Sequence, residues 1–235
     1  KYGLLRRKVN SFFFSHFLLA HFLVDYPFQT DKLFETKTKK FYGVIIHSLI
    51  LFFFLILLSI PYSTNFFVFI SSISLALLHL FQDQIKIYLT KKEEGENFYY
   101  FLIDQILHIF FIFLFSLLPL PDVIYKDRGF LKFYFDPFYS YLIVSLIFVT
   151  YFIWIFLHSI NNTFFKKEPL VKGFWKYYGY LERIFAFFVS FLYPYIFFIS
   201  YIFLLPRFFK KKKIIEGFLG ISLSLLLGIL LRWIR

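Results

Sequence analysis

Long apolar runs separated by short polar stretches dominate this chain. A helix crossing a bilayer needs about 20 predominantly apolar residues. Six runs meet that length, at roughly 41–60, 66–89, 98–119, 137–158, 180–205 and 214–234. An earlier run, about 11–29, has helical patterning but is short and polar for a full span, and Pro27 interrupts its end. That run suits a re-entrant or tilted helix, shielded from lipid by its neighbours. Pro61, Pro119, Pro121 and Pro137 stand at the edges of runs, where they suit turns and helix starts. Pro194 stands inside one and predicts a kink. The pattern predicts an all-α fold, a polytopic membrane helical bundle of six or seven hydrophobic helices. Residues 1–235 read as a single integral membrane domain, with polar positions in 11–119 and C-terminal helices in 137–235.

Composition supports this reading. The 235 residues are 60% hydrophobic and include 41 Phe, more apolar surface than a soluble domain of this size can bury. Lipid solvates such an excess, so the bilayer is the expected partner. The net charge of +12 does not point to nucleic acid. Its Lys and Arg cluster between the apolar runs, where they set orientation and touch anionic headgroups. Cysteine is absent, which excludes disulfides, thiolate zinc sites and cysteine nucleophiles.

The candidate chemistry lies inside the apolar runs. His21 and Asp25, His79 and Asp83, and Asp104 and His108 are each four residues apart, so each pair shares a helix face. His47 stands alone in another run. Ionisable residues in membrane helices are expensive and by default mark a functional site. These groups lie near helix ends that an alternating topology brings to one face of the membrane, so they are expected to converge in one pocket. The same alternation puts residues 31–40 and 90–97 on one face, since two spans separate them. Neutral imidazole and carboxylate suit zinc and manganese, and His21, Asp25, His47, His79, Asp83, Asp104 and His108 are the candidate ligands. Gln29, Asp31, Lys37, Lys86 and Gln105 are expected to orient those ligands or meet substrate. A proton or ion path could use the same groups. A purely structural network is the weaker account, because interhelical polar contacts average only about 0.6 kcal/mol. His16 and His158 lack a comparable carboxylate and read as structural or interfacial. Glu182 and Arg183, near the start of a later run, are expected to form a structural ion pair between helices.

At these residues the sequence resembles a bacterial membrane family, domain of unknown function 3307. Ala20-His21, Asp25, Gln29, Asp31 and Lys37 match its opening spacing. The likeness continues through His47, then His79, Asp83 and Lys86, then Asp104-Gln105 and His108. Gly179, Leu181, Glu182 and Arg183 resemble its Leu-Glu-Arg element, and Arg207-Phe208 with Glu216 echo its C-terminal part. Phe203 stands where the family usually has a Lys, which weakens that last portion. The resemblance implies a bacterial cytoplasmic membrane and brings no established activity with it.

Three functions fit these residues. One is a metal-dependent hydrolase of an amphiphilic or lipid-linked substrate, using zinc or manganese, with Lys37 or Lys86 holding an anionic headgroup. A second is an ion- or proton-coupled transport protein, although the chain lacks the paired halves of inverted-repeat transporters. The third is a non-catalytic membrane scaffold that recruits a partner through its loops.

Overall fold

The computed structural model describes residues 10–92, 97–121, 129, 131–165, 173–210 and 213–235. Among them there is no strand. The helices, in order, are α1 (Ser11–Asp25), α2 (Asp31–Lys39), α3 (Phe41–Leu58), α4 (Phe66–Lys92), α5 (Phe98–Ser116) and α6 (Leu131–Phe135). There follow α7 (Pro137–Ile147), a π-helical turn (Phe148–Phe152), α8 (Ile153–Phe164), α9 (Phe174–Leu192), a 3₁₀ stretch (Pro194–Leu204), α10 (Leu205–Lys210) and α11 (Ile214–Ile234). Helices α3, α4, α5 and α11, and the run Pro137–Phe164 through α7 and α8, are long and apolar enough to cross a membrane. Two shorter apolar helices, Ser11–Asp25 and Pro194–Phe209, accompany them. The chain divides into two compact units, residues 1–95 with 102–140, and residues 96–101 with 141–235.

In the first unit, α1 is sheathed by protein. Phe12, Phe13, Phe17, Ala20, His21, Val24 and Asp25 are all buried. The Asn10 side chain caps its start, accepting from the Phe13 N–H. The helix stops at Asp25 because Tyr26 precedes Pro27, which disfavours helical backbone at the residue before it. Fifteen residues rise about 22 Å, short of a hydrocarbon core of about 30 Å. The shielding expected for the 11–29 run is therefore present, on a helix that ends four residues earlier.

Helices α3, α4 and α5 each bury one stripe. On α3 it runs Val44, His47, Leu51, Leu55, and on α4 it runs Val68, Ser72, Leu75, His79, Asp83. On α5 it runs Phe101, Asp104, His108, Ile112. The spacings of three and four are those of one helix face. The opposite faces stay apolar, with Leu49, Phe53, Phe81, Ile85, Ile106 and Phe110 all exposed, as lipid-facing surface should be. The inner stripes change character along their length. One end is an aliphatic and aromatic core around Phe17, Leu51, Leu55, Leu75 and Ile112, and the other carries the His and Asp side chains.

Helix α2 is short and mostly exposed, yet its Lys37 is buried. Gly43 makes this possible. A Cβ there would stand 2.5 Å from the Lys37 nitrogen and 2.5 Å from the Thr36 carbonyl carbon, both backbone atoms that cannot step aside. Gly43→Ala is therefore expected to push α2 off α3 and draw Lys37 out of the interior. The cost should be about 1–3 kcal/mol, the usual range for overpacking, and a lowered unfolding midpoint in detergent would register it.

In the second unit, the run expected as one span at 180–205 is two elements. Helix α9 begins earlier, at Phe174, and ends at Leu192, and the 3₁₀ stretch starts at Pro194. Pro194 offers no N–H and restricts Tyr193, so the break falls where the proline requires it. Helices α9 and α11 pack closely through Gly220, Ser224 and Gly228, a small-residue stripe at four-residue spacing. A Cβ at Gly228 would collide with the Ser190 hydroxyl and the Phe187 carbonyl.

Candidate metal centre

Four helices of the first unit bring the seven predicted His and Asp side chains together. Helix α1 supplies His21 and Asp25, α3 supplies His47, α4 supplies His79 and Asp83, and α5 supplies Asp104 and His108. All seven are buried. Asp25 Oδ1 lies 3.1 Å from His47 Nε2 and 3.3 Å from His79 Nε2. Asp83 Oδ2 lies 3.6 Å from His47 Nε2 and 3.3 Å from His79 Nε2. Ligand atoms at 2.0–2.1 Å from a tetrahedral zinc sit about 3.3–3.4 Å from one another. The Asp25 oxygen and the two imidazole nitrogens are spaced as part of such a set, their residues offering ligand atoms all within 4.8 Å of one another, and Asp83 Oδ2 adjoins them.

Two further trios lie beside this one. His21, His79 and His108 each offer a ligand atom within 4.8 Å of the others, and so do Asp83, Asp104 and His108. His108 Nε2 is 3.1 Å from Asp104 Oδ1, and His79 Nδ1 is 3.3 Å from His108 Nδ1. His79 Nδ1 and His108 Nδ1 share a hydrogen bond, and so do His47 Nε2 and Asp25 Oδ1. His79 Nε2, Asp104 Oδ1, His108 Nε2 and both ring nitrogens of His21 are buried without a hydrogen bond of good geometry among the described residues. Buried polar atoms normally find partners. Unsatisfied imidazole nitrogens and carboxylate oxygens held this close together are donors that a cation would satisfy.

The supporting residues divide. Lys37 Nζ stands 2.6 Å from Asp83 Oδ2 and donates to Gln29 Oε1 at 3.2 Å. Lys86 Nζ is 3.0 Å from Asp104 Oδ2. Gln105 Nε2 donates to Asp25 Oδ2 and to Asp104 Oδ2, both at 3.3 Å, tying α5 to α1. Such contacts fix the rotamers of the carboxylates they touch. Asp31 is not brought in. It occupies the exposed first turn of α2. Tyr26 joins the network unforeseen, its hydroxyl donating to Gln105 Oε1 at 3.0 Å. Its place beside Asp25 was the available signal. His16 is also buried, but its Nδ1 bonds the Phe12 carbonyl at 2.8 Å and its ring stacks on Phe12. That is a structural role.

Residues 13–129 match DUF3307, a protein family of unknown function. The DUF3307 stretch contains all seven His and Asp residues together with Gln29, Lys37, Lys86 and Gln105. The C-terminal likeness at Glu182, Arg183, Arg207 and Glu216 lies outside the DUF3307 match. No curated protein and no solved structure matches the chain.

Glu182 and Arg183 form no pair with each other. Glu182 instead receives both Nε and Nη2 of Arg207, each at 2.7 Å. Arg183 Nε and Nη2 donate to the Val149 and Thr150 carbonyls in the π-helical turn, at 2.5 and 3.1 Å. A π turn shifts the helical hydrogen bonds out of register, and this guanidinium takes up the carbonyls. Arg207 reads from the sequence as a loop charge beside Lys210–Lys213, yet it is buried.

Proposed function

We propose that the first unit binds one or two divalent cations, zinc or manganese, and uses them to hydrolyse an anionic amphiphile such as a lipid phosphate or lipid-linked ester. The observation that carries this reading is the trio of Asp25, His47 and His79, whose ligand atoms all lie within 4.8 Å of one another, with Asp25 Oδ1 at 3.1 Å from His47 Nε2 and 3.3 Å from His79 Nε2. His79 belongs also to the trio with His21 and His108, and Asp83, Asp104 and His108 form a third, so the cluster offers ligands for a second ion.

Charge supports an anionic substrate. Among the described residues three buried carboxylates, Asp25, Asp83 and Asp104, face two ammonium groups, Lys37 and Lys86, which leaves one negative charge in that set when the imidazoles are neutral. Unbalanced charge is costly in a low-dielectric interior. One divalent cation turns the balance to one positive, and an anionic substrate then neutralises it. A bound metal would polarise the scissile group and activate water. The protein's own part is to exclude solvent, to hold the ligand carboxylates through Gln105, and to attract the anion with Lys37 and Lys86. Gln29 and Lys86 are partly exposed, so the substrate enters on the side where α2 covers the site.

The test begins with detergent-purified protein stripped by a chelator and dialysed against zinc or manganese. Elemental analysis should find about one to two ions per chain, and the loaded protein should release phosphate from a lipid phosphate. Failure to retain stoichiometric amounts of either metal overturns the metal site. Stoichiometric metal with no release from lipid phosphates or lipid-linked esters overturns the hydrolase.

A further inference from the structure

The second unit holds a cavity of ≈ 270 Å³ that the metal site does not use. Lys176 and Arg183 of α9, Arg207 of α10 and Lys213 at the head of α11 line it, with Trp154 and Trp175. Two carboxylates balance part of this charge, since Glu182 holds Arg207 and Glu216 lies 3.1 Å from Lys213 Nζ. Four cations and one carboxylate line it among the described residues, around a space open enough for a ligand. Arg183 is anchored through Nε and Nη2, and its Nη1 donates to nothing among the described residues. The absence of side chains at Gly179 and Gly220 makes room for that nitrogen, since a Cβ at either would stand 3.1 or 3.5 Å from Nη1.

A second, apolar groove of ≈ 410 Å³ adjoins the first. Ile160, Phe165, Ile214 and Leu219 line it, and it shares Leu157, Lys213 and Glu216 with the charged cavity. Lys176 sits 4.1 Å over the Trp154 ring, and Arg207 lies over Trp175 and Tyr178. Tryptophan and tyrosine of this kind concentrate at the depth of lipid headgroups. Phosphate chemistry suits the first cavity whether it comes from a lipid or a soluble ester. A soluble ester would leave the apolar groove unfilled, and a lipid fills both.

We infer that the second unit binds one anionic phospholipid, with its phosphate against Lys176 and Arg183 and an acyl chain in the groove beside Leu157 and Leu219. The site stands independently of the metal centre. The full chain in nonionic detergent would be titrated with dihexanoyl phosphatidic acid and followed by native mass spectrometry, with dihexanoyl phosphatidylcholine and glycerol phosphate as the other probes. One phosphatidic acid should be retained per chain, in preference to phosphatidylcholine. Lys176→Gln should weaken it roughly five-fold, the effect of one interfacial cation. Leu219→Trp, at an exposed position, should obstruct the groove and weaken phosphatidic acid without altering any glycerol phosphate binding. Equal retention of phosphatidylcholine, or an unchanged affinity in both variants, overturns the proposal. Glycerol phosphate that binds as well as phosphatidic acid assigns the cavity to a soluble phosphate and overturns the lipid.

Discussion

Replacing His79 with Gln should strip the first unit of metal while leaving the chain folded. His79 Nε2 lies 3.3 Å from both Asp25 and Asp83, and His79 also belongs to the trio with His21 and His108. No other imidazole serves in both sets. Removing a residue that merely supports a ligand costs about 10–100-fold in metal affinity, so losing His79 itself should cost at least that. Gln keeps a polar group of similar reach, which limits damage to packing. The matched control is His16→Phe. His16 is as buried as His79, but its Nδ1 bonds lie on its own helix, at Phe12 and Ser15, and it belongs to none of the three trios. The measurement is metal per chain by elemental analysis, beside the elution profile and unfolding midpoint of each variant. A His79→Gln protein that keeps its metal would remove the trio of Asp25, His47 and His79 as the binding site. Loss of metal in His16→Phe at equal rank would show that packing, rather than ligation, governs retention.

Arg207→Ala should sharply reduce the yield of folded protein. Glu182 is fully buried, and both its oxygens accept from Arg207 at 2.7 Å. Without the guanidinium a carboxylate remains unpaired in the interior, a cost of about 3–5 kcal/mol. That exceeds what most single substitutions remove. The double variant Glu182→Gln with Arg207→Gln deletes both charges and should recover much of the loss. The fraction eluting as a single monodisperse species, together with the thermal midpoint, would measure this. Full yield from Arg207→Ala would mean the pair contributes nothing to the fold. Yield preserved with activity lost would move Glu182 into the functional machinery.

The contrast between these two sites shows how much of the molecule is legible along the chain. Composition and run length alone require a lipid-solvated helical bundle, because no soluble interior of this size absorbs 41 Phe. The four-residue spacing fixes His79 with Asp83, and Asp104 with His108, on one face each, since 3.6 residues per turn is a property of the backbone. Pro194 breaks its run for an equally local reason. Partnership across helices is different. Lys37 and Asp31 belong to one nine-residue helix, and six positions place them about 120° apart around it. Which of the two turns inward depends on how closely α2 lies against α3, which Gly43 permits. Glu182 finds Arg207 rather than its own neighbour because adjacent residues on a helix point in different directions. Periodicity tells each residue its face. Only close packing of one helix on another selects the atoms that face meets, because the many weak contacts that set helix separation and rotation are summed over the whole bundle.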